Sequence, residues 1–327
     1  MSLRMLRKIQ IGKETVKGTA VAATAVLLGQ LTMRENPIIH RPEEERAQMA
    51  QYSRGVKVGN LAELTFEGDV TYEQLLYWMH MGVLGAVTPS TVDTSARLWT
   101  FTPAMTAAGV FDSFTLEFGD NTQAWEVEYC MVRDIEISFA MNAVARIKVT
   151  IFGRKMAATT FTPALTPPTV ESIPGQQFKL YIDAESGTMG ATVKASSLIS
   201  ASYKILPGLY EKRYGSGSLD FTAYGETFKD VELKATFAFN AGAEVERLLL
   251  DGNTMRLIRL KSEGTLVGAV SALKYLSLDF CGVYTDFSTL EERDGEDVVS
   301  VTLRGQRGTT YTKLFEVLVQ NSVTSLP

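Results

Sequence analysis

The chain has 327 residues, of which 45% are hydrophobic and 21% charged, and its formal net charge is −5. These are globular values, which exclude intrinsic disorder for the chain as a whole. The mildly acidic balance argues against a protein that grips nucleic acid through clustered lysine and arginine side chains. The length fits two domains of ordinary size better than one.

The N-terminus and the cysteines indicate a compartment. Charges at Arg4, Arg7 and Lys8 interrupt the apolar stretch that a secretory signal would need. No apolar run approaches the roughly 20 residues of a spanning helix. Cys130 and Cys281 are far apart and lack metal-ligand spacing, which predicts two buried free thiols. We expect a protein made in the cytoplasm that has no contact with a membrane.

The first 25 residues are predicted to form an extended N-terminal arm. From Gly12 to Ala25 the sequence is rich in threonine, alanine, glycine and lysine and has no strong hydrophobic period. Such a composition does not predict a core of its own. We expect the arm to become ordered only on a partner surface.

A long charged loop from Asn36 to Asn60 follows the arm. Loops of this length are usually functional or disordered. Ile38 and Ile39 are candidate apolar anchors on a neighbouring subunit. The run Glu43–Glu45, with Arg41, Arg46 and Arg54 nearby, reads either as a solvated loop or as an ion-pairing patch. We predict a contact with a neighbouring subunit through Ile38, Ile39, Arg41, Arg46 and Arg54.

Strict alternation of apolar and polar residues dominates the rest of the chain. It is clear in Glu63–Glu67, Phe114–Phe118, Asp134–Phe139 and Arg146–Ile151. A period of two with one polar face is typical of antiparallel, half-buried strands. The best helix runs from Tyr72 to about Met81, because its apolar residues recur every three or four positions.

A proline-rich segment and an internal repeat predict two domains. Residues 158–176 contain Pro163, Pro167 and Pro168, which suits a stiff linker and excludes a central strand. A shift of 173 positions places Leu64 on Phe237 and Glu63 on Thr236, so that the charge of Glu63 is not repeated. A shift of 152 places the strand at Ile147 on that at Val299. The predicted units are an arm (1–25), a first domain (26–157), a linker (158–176) and a second domain (177–327).

No motif indicates chemistry at a site. His40 and His80 belong to no recognisable triad or metal pattern. The glycines at 215 and 217 precede a strand-like segment, whereas a phosphate loop should open a helix. We therefore predict no catalytic, metal-binding or cofactor-binding residues and no cofactor.

The opening phrase resembles a known family. Ile11 to Ala23 is similar to the start of the tail tube proteins of long, non-contractile-tailed bacteriophages, in which a G-K-E-x-x-x-G-T-A-V-A phrase leads into the first strand. The strand-to-helix unit from Leu64 to Met81 and the strands from Ser113 to Gly153 agree with this resemblance.

The resemblance implies a fold of two tandem antiparallel β-sandwich tube domains, each with a short flanking helix. It implies rings of three chains that mimic six, stacked through the arm and the long loop into the tail tube of a virion assembled in the host cytoplasm. The tape-measure protein, the tail terminator and the distal tail protein are the implied partners, and DNA passes through the lumen without specific binding.

The polar strand faces supply candidate lumen residues. Glu63, Glu67, Glu136 and Lys148 fall on the polar phase of their strands. An anionic wall repels DNA, so that DNA slides past it. Three alternatives stay open: another tail or neck component such as a terminator or baseplate tube protein, a two-domain carbohydrate-binding module, and an enzyme.

Overall fold

The computed structural model describes residues 4–194, 197–268, 272–293 and 295–326. The predicted mainly β class is confirmed, since the described chain contains 22 strands and two short helices. No helix in these ranges is long and apolar enough to cross a membrane.

The strands have these bounds: β1 (Lys8–Lys13), β2 (Ala25–Leu27), β3 (Gln30–Glu35), β4 (Ile38–His40), β5 (Val56–Gly59), β6 (Ala62–Asp69), β7 (Ser90–Thr91), β8 (Arg97–Phe101), β9 (Phe114–Gly119), β10 (Ala124–Ala140), β11 (Arg146–Gly153), β12 (Met156–Thr159), β13 (Lys179–Ala184), β14 (Leu198–Leu206), β15 (Leu209–Lys212), β16 (Ala223–Glu226), β17 (Asp230–Ala238), β18 (Arg256–Leu266), β19 (Leu273–Phe287), β20 (Glu291–Arg293), β21 (Glu296–Gly305) and β22 (Phe315–Asn321). The helices are α1 (Leu75–Gly82) and α2 (Ala241–Arg247).

One antiparallel sheet of eight strands crosses the whole molecule. Its order is β3, β6, β11, the C-terminal half of β10, β14, β17, β21 and the C-terminal end of β19. We call it the eight-stranded sheet. Its inner face, for example Leu64, Val149, Tyr203 and Leu303, is buried, and its outer face carries polar side chains, as alternation predicts.

Two outer sheets complete the layers. The N-terminal half of β10 pairs with β9 and β12, and β9 continues through β1 to β2. The N-terminal half of β19 likewise pairs with β18 and β22, and β18 continues to β13. Strand β8, from the first half of the chain, adds to β22. The same pattern of ladders thus occurs twice.

A bulge fixes the correspondence between the two copies. It lies between Val132 and Asp134 where β10 meets β11, and between Tyr284 and Asp286 where β19 meets β21. The predicted shift of 152 aligns these bulges. The predicted shift of 173 for the earlier strand is wrong: Leu64 pairs with Ile151 and Leu233 pairs with Leu303, so Leu233, not Phe237, is the counterpart of Leu64.

The predicted shift is four residues too large. It places Leu64 on the correct face of the sheet but matches it with the wrong residue of the second copy. A period of two cannot distinguish shifts that differ by an even number. In the structural register Glu63 corresponds to Glu232, so the charge of Glu63 is repeated, contrary to the expectation from sequence.

The prediction of an extended N-terminal arm is also corrected. Residues 8–13 form β1, which is paired on both edges, and Ile9 and Ile11 are buried in the main core. These two residues alternate with polar neighbours, and the composition of the following segment obscured that signal. The arm is therefore part of the fold from Lys8 onward.

The two copies share one core. Buried residues from both halves belong to a single cluster, and Ile173, inside the predicted linker, is fully buried in it. Helix α1 does not lie on a flank, because all eight of its residues are buried. Helix α2 is a surface helix, and the side chain of Asn240 accepts a hydrogen bond from the Ala243 N–H at its start.

Candidate assembly interface

The two copies join edge to edge inside the chain, at a seam between β10 and β14. Six residue pairs form this ladder, from Ile135 opposite Ile205 to Ala140 opposite Ser200. On the outer face, Glu136 lies opposite Lys204, and Ser202 Oγ donates a 2.7 Å hydrogen bond to the Glu136 carboxylate. A long β-strand edge is satisfied here by the other half of the same chain.

Residues 207–229, which include β15 and β16, reach across this seam, and we call them the strap. Leu209 and Phe221 of the strap pack with Tyr129, Met131 and Phe152 of the first half in a second, smaller core cluster. Polar contacts also join the strap to the first half. Arg133 Nη2 lies 3.0 Å from Glu211, and Arg154 Nε donates to the Phe221 carbonyl at 2.9 Å.

Helix α1 covers the inner side of the seam. Gly82 packs directly against Val132 and Ile135 of β10. At the start of the helix, Lys274 Nζ of the second half lies 2.7 Å from Glu73 and 3.1 Å from Glu171. The pKa of Lys274 is raised; burial acts in the opposite direction, but the two carboxylates outweigh it. This ion-pair cluster ties the two halves together.

The counterparts of all these seam elements lie at the two ends of the eight-stranded sheet. Among the described residues, β3 pairs only with β6. Residues 287–292 correspond to the seam residues of β10, and in the described part of the chain Phe287 and β20 pair only with β21. Helix α2 packs on β19 through a 3.2 Å hydrogen bond between Tyr284 and Glu246, yet Val245 and Leu248 are exposed. Each end therefore presents half of the seam that the interior of the chain completes.

The hairpin of β4 and β5 contains or adjoins the five residues predicted for a ring contact. Ile38 and Ile39 lie in β4 and are exposed. Arg46 and Arg54 both pair with Glu44 within the loop, the latter at 2.6 Å, and Arg41 is exposed. The structure brings the five into one projecting segment whose polar bonds are largely internal.

The four candidate lumen residues lie on one surface, the outer face of the eight-stranded sheet. Glu63 and Glu67 belong to β6, Lys148 to β11 and Glu136 to β10. Lys148 lies between the two carboxylates of Glu67 and Glu136 in the ladders, and its Nζ is 3.5 Å from Glu67. That this face lines the lumen remains a prediction from the sequence.

This face is mixed in charge, whereas the sequence analysis expected an anionic wall. One row across six neighbouring strands alternates in sign: Glu67, Lys148, Glu136, Lys204, Glu232 and Arg304. Further pairs on it are Arg146 with Asp69 at 3.1 Å and Arg304 with Asp230 at 2.8 Å. Opposite charges on adjacent strands stabilise a sheet and specify its register.

The opening phrase of the chain forms a tight turn built around buried Glu14. Its carboxylate accepts hydrogen bonds from Gly18 N at 2.7 Å, Ser113 Oγ at 2.6 Å, Thr115 Oγ1 at 3.1 Å and Tyr129 N at 2.6 Å. Gly18 has a φ of 74°, which favours glycine. Sequence analysis missed this role because most of the donors lie about a hundred positions away.

The buried titratable groups pair within the core and do not converge on one site. His80 Nδ1 and Lys13 Nζ each lie 2.8 Å from Asp112; burial acts to raise the pKa of this carboxyl, but their hydrogen bonds hold it well below its usual range. Burial raises the pKa of both thiols, that of Cys281 to about 11. Within the described ranges no three potential metal ligands cluster.

Comparison of the chain with protein-family models and with curated protein sequences gives no match.

Proposed function

We propose that the chain is a structural subunit of a bacteriophage tail tube that assembles through its own sheet edges and carries out no catalysis. One observation carries the proposal: the counterparts of the two strands of the β10–β14 seam, residues 287–292 and strand β3, lie at opposite ends of the same sheet and, among the described residues, are unpaired on their outer edges. Pairing these edges between chains repeats a contact that the fold already makes. Closure into a ring leaves no free edge on the sheet.

The internal seam supplies the register of the contact between chains. Glu136 opposite Lys204 corresponds to Ser288 of one chain opposite Arg34 of the next, since Ser288 faces Ser300 as Glu136 faces Lys148. Arg34 lies opposite Glu63, as Lys204 lies opposite Glu232. The contact is head-to-tail, so it forms rings when the rotation closes.

Three chains supply six copies of the repeated unit, the number that the resembled family implies. The rings stack into a tube in the virion tail after assembly in the host cytoplasm, with the tape-measure protein, the tail terminator and the distal tail protein as partners. The outer face of the eight-stranded sheet lines the channel. Its lysines and arginines are matched by carboxylates, which leaves few free cations to hold DNA phosphates.

The burial of tryptophan bears on the carbohydrate-binding alternative. Trp78 and Trp99 are fully buried in the core, and Trp125 is partly buried in β10. An exposed platform of tryptophan rings, which sugar binding would use, is absent from the described residues. The alternative of a terminator or baseplate component shares the seam and differs in whether rings stack.

Electron microscopy and a disulfide across the seam test the proposal together. Directly opposed residues of neighbouring strands are close enough for a disulfide. The double variant Ser288→Cys/Arg34→Cys should form a covalent species of three chains on oxidation, while either single variant should not. Concentrated protein should show hollow tubes. Protein that stays monomeric and shows no cross-link would overturn the proposal, and rings that never stack would favour the terminator alternative.

A further inference from the structure

The connection between β3 and β6 corresponds in the fold to the strap between β14 and β17. Each is a segment between equivalent strands, and each contains one hairpin. The strap is bonded to the first half at many points, whereas the β4–β5 hairpin is exposed on both strands. The strap is thus packed against the rest of the chain, whereas the equivalent β4–β5 hairpin is exposed.

The correspondence holds residue by residue. Met33 pairs with Leu64 as Tyr203 pairs with Leu233, which places Ile39 on Leu209. The hairpin ladders agree: Ile39 lies opposite Lys57 as Leu209 lies opposite Glu226. Leu209 is 5% exposed because it packs over the seam, and Ile39 is 43% exposed.

We propose that the β4–β5 hairpin clamps the neighbouring chain of the same ring, across the β3–β19 contact, as the strap clamps the first half of its own chain. The inference rests on the proposed assembly and assigns a different role to the loop than a contact between stacked rings. The partner is a second copy of this chain, and its receiving surface is the end of the eight-stranded sheet around Val283 and Arg304.

The receiving surface follows from the bulge. Arg133, the bulged residue of β10, pairs with Glu211 of the strap at 3.0 Å. Its counterpart in β19 is Thr285, and the counterpart of Glu211 is Arg41. Thr285 and Asp286 are exposed, and the carboxylate of Asp286 offers a charge opposite to that of Arg41. In the proposed contact the cation lies on the hairpin segment and the anion on the receiving surface, the reverse of the Arg133–Glu211 pair.

Hydrophobic burial supplies the driving force. Ile38, Ile39, Val56 and Val58 are all exposed on this hairpin. Apolar side chains gain stability when a surface removes them from water. The strap meets the same need with Leu209 and Phe221, which are buried against the first half.

Cysteine pairs distinguish the same ring from the next ring. The test variant is Arg41→Cys/Thr285→Cys, at two exposed positions. The matched internal control is Arg133→Cys/Glu211→Cys, whose native side chains pair at 3.0 Å. Because arginine and glutamate reach farther than cysteine, this pair and the test pair are joined with a short bis-maleimide rather than by oxidation, and the control product within one chain is detected by peptide mass spectrometry. The seam pair Ser288→Cys/Arg34→Cys is oxidised in parallel. All three are compared in isolated rings and in stacked tubes, separated by sedimentation.

The expected result is a covalent species of three chains from Arg41→Cys/Thr285→Cys in isolated rings, with no further gain on stacking. A seam pair that cross-links while this pair does not would overturn the clamp and leave the assembly standing. Cross-linking only in stacked tubes would assign the hairpin to the next ring and also overturn it. Failure of both pairs, with the internal control formed, would overturn the clamp together with the proposed assembly.

Discussion

The two copies of the repeated unit have the same ladders but differ in how they are covered. Helix α1 is buried on all sides, since residues 83–113 pack over it. The ring centroid of His80 in α1 lies 5.6 Å from that of Trp99 and 5.3 Å from that of Phe101. Between α2 and β18 only residues 248–255 intervene, and Val245 of α2 stays exposed. The β10 end of the first copy is thus covered within the chain, whereas the equivalent β19 end of the second copy is left open at an edge. The open end of the second copy is therefore equivalent to one half of the internal seam.

Matched substitutions in the two helices should separate stability from assembly. Met79→Asp places an unpaired carboxylate in the core, and we expect the free energy of unfolding to fall by about 4 kcal/mol or more. Val245→Asp lies on an exposed position and should change the free energy of unfolding by at most about 0.5 kcal/mol. Denaturant unfolding measures both.

In sedimentation, Val245→Asp should weaken ring formation, because it adds a charge beside the open seam. A large loss of monomer stability in this variant, or unfolding equal to that of Met79→Asp, would break the comparison between the covered and the open helix.

Buried carboxylates hold a turn in each copy. Glu14 accepts four hydrogen bonds after β1, and Asp183 of β13 accepts three, from the N–H groups of Gly190, Ala191 and Thr192. Glu14→Gln and Asp183→Asn each replace an acceptor by a donor that faces other donors, so each should cost about 1–3 kcal/mol. Unfolding in urea checks this; a change near zero in either variant would show that its turn does not need the charge.

Asp112 makes the stability of the first copy sensitive to pH. Burial acts to raise its folded-state pKa, but the hydrogen bonds from His80 and Lys13 outweigh burial and place that pKa below the unfolded value. The ionised carboxylate therefore stabilises the fold above about pH 4, and this stabilisation is lost as the pH falls toward the folded-state pKa.

The stability difference between the native chain and Asp112→Asn should consequently be largest near neutral pH and shrink below about pH 4. Unfolding free energies measured across this range decide the point. A difference that is constant with pH would mean that the charge of Asp112 does not contribute.

Charge reversal on the outer face should have the smallest effect on the fold. Glu63→Lys/Glu67→Lys puts a lysine at position 67, next to Lys148, and like charges on adjacent strands cost roughly 0.2–1 kcal/mol. Tubes should still form, but the unmatched cations should retain DNA in a salt-dependent manner. The control Lys148→Glu should retain none. Reversed tubes that release DNA at the original rate would remove this face from the channel.

Sequence alone predicts the elements better than their partners. The phases of β6, β10 and β11 follow from alternation, because the period of two also governs burial. The register of β6 against its repeat does not, since an even shift leaves the phase unchanged. The α1 prediction began three residues early, although Thr71 does accept the Gln74 N–H at 3.2 Å.

The candidate interface depends on contacts that are remote in sequence. Glu136 and Lys204 become neighbours only when the two halves meet, so the alternating row of charges is invisible in the sequence. The fit between Leu209 and Phe152 is equally non-local. By contrast, the loop residues from Ile38 to Arg54 could be singled out beforehand, because exposed apolar residues in a long charged loop are a local signal.

The mass of the smallest stable assembly in solution tests the central claim most directly. Native mass spectrometry of the purified chain should give a closed species of three chains, three times the 35.9 kDa of one chain. Its formation should depend on the edges of β3 and β19. A ring of six whole chains would contradict the account, because the two copies in each chain would then not act as equivalent units. A chain that stays monomeric at every concentration would contradict it as well.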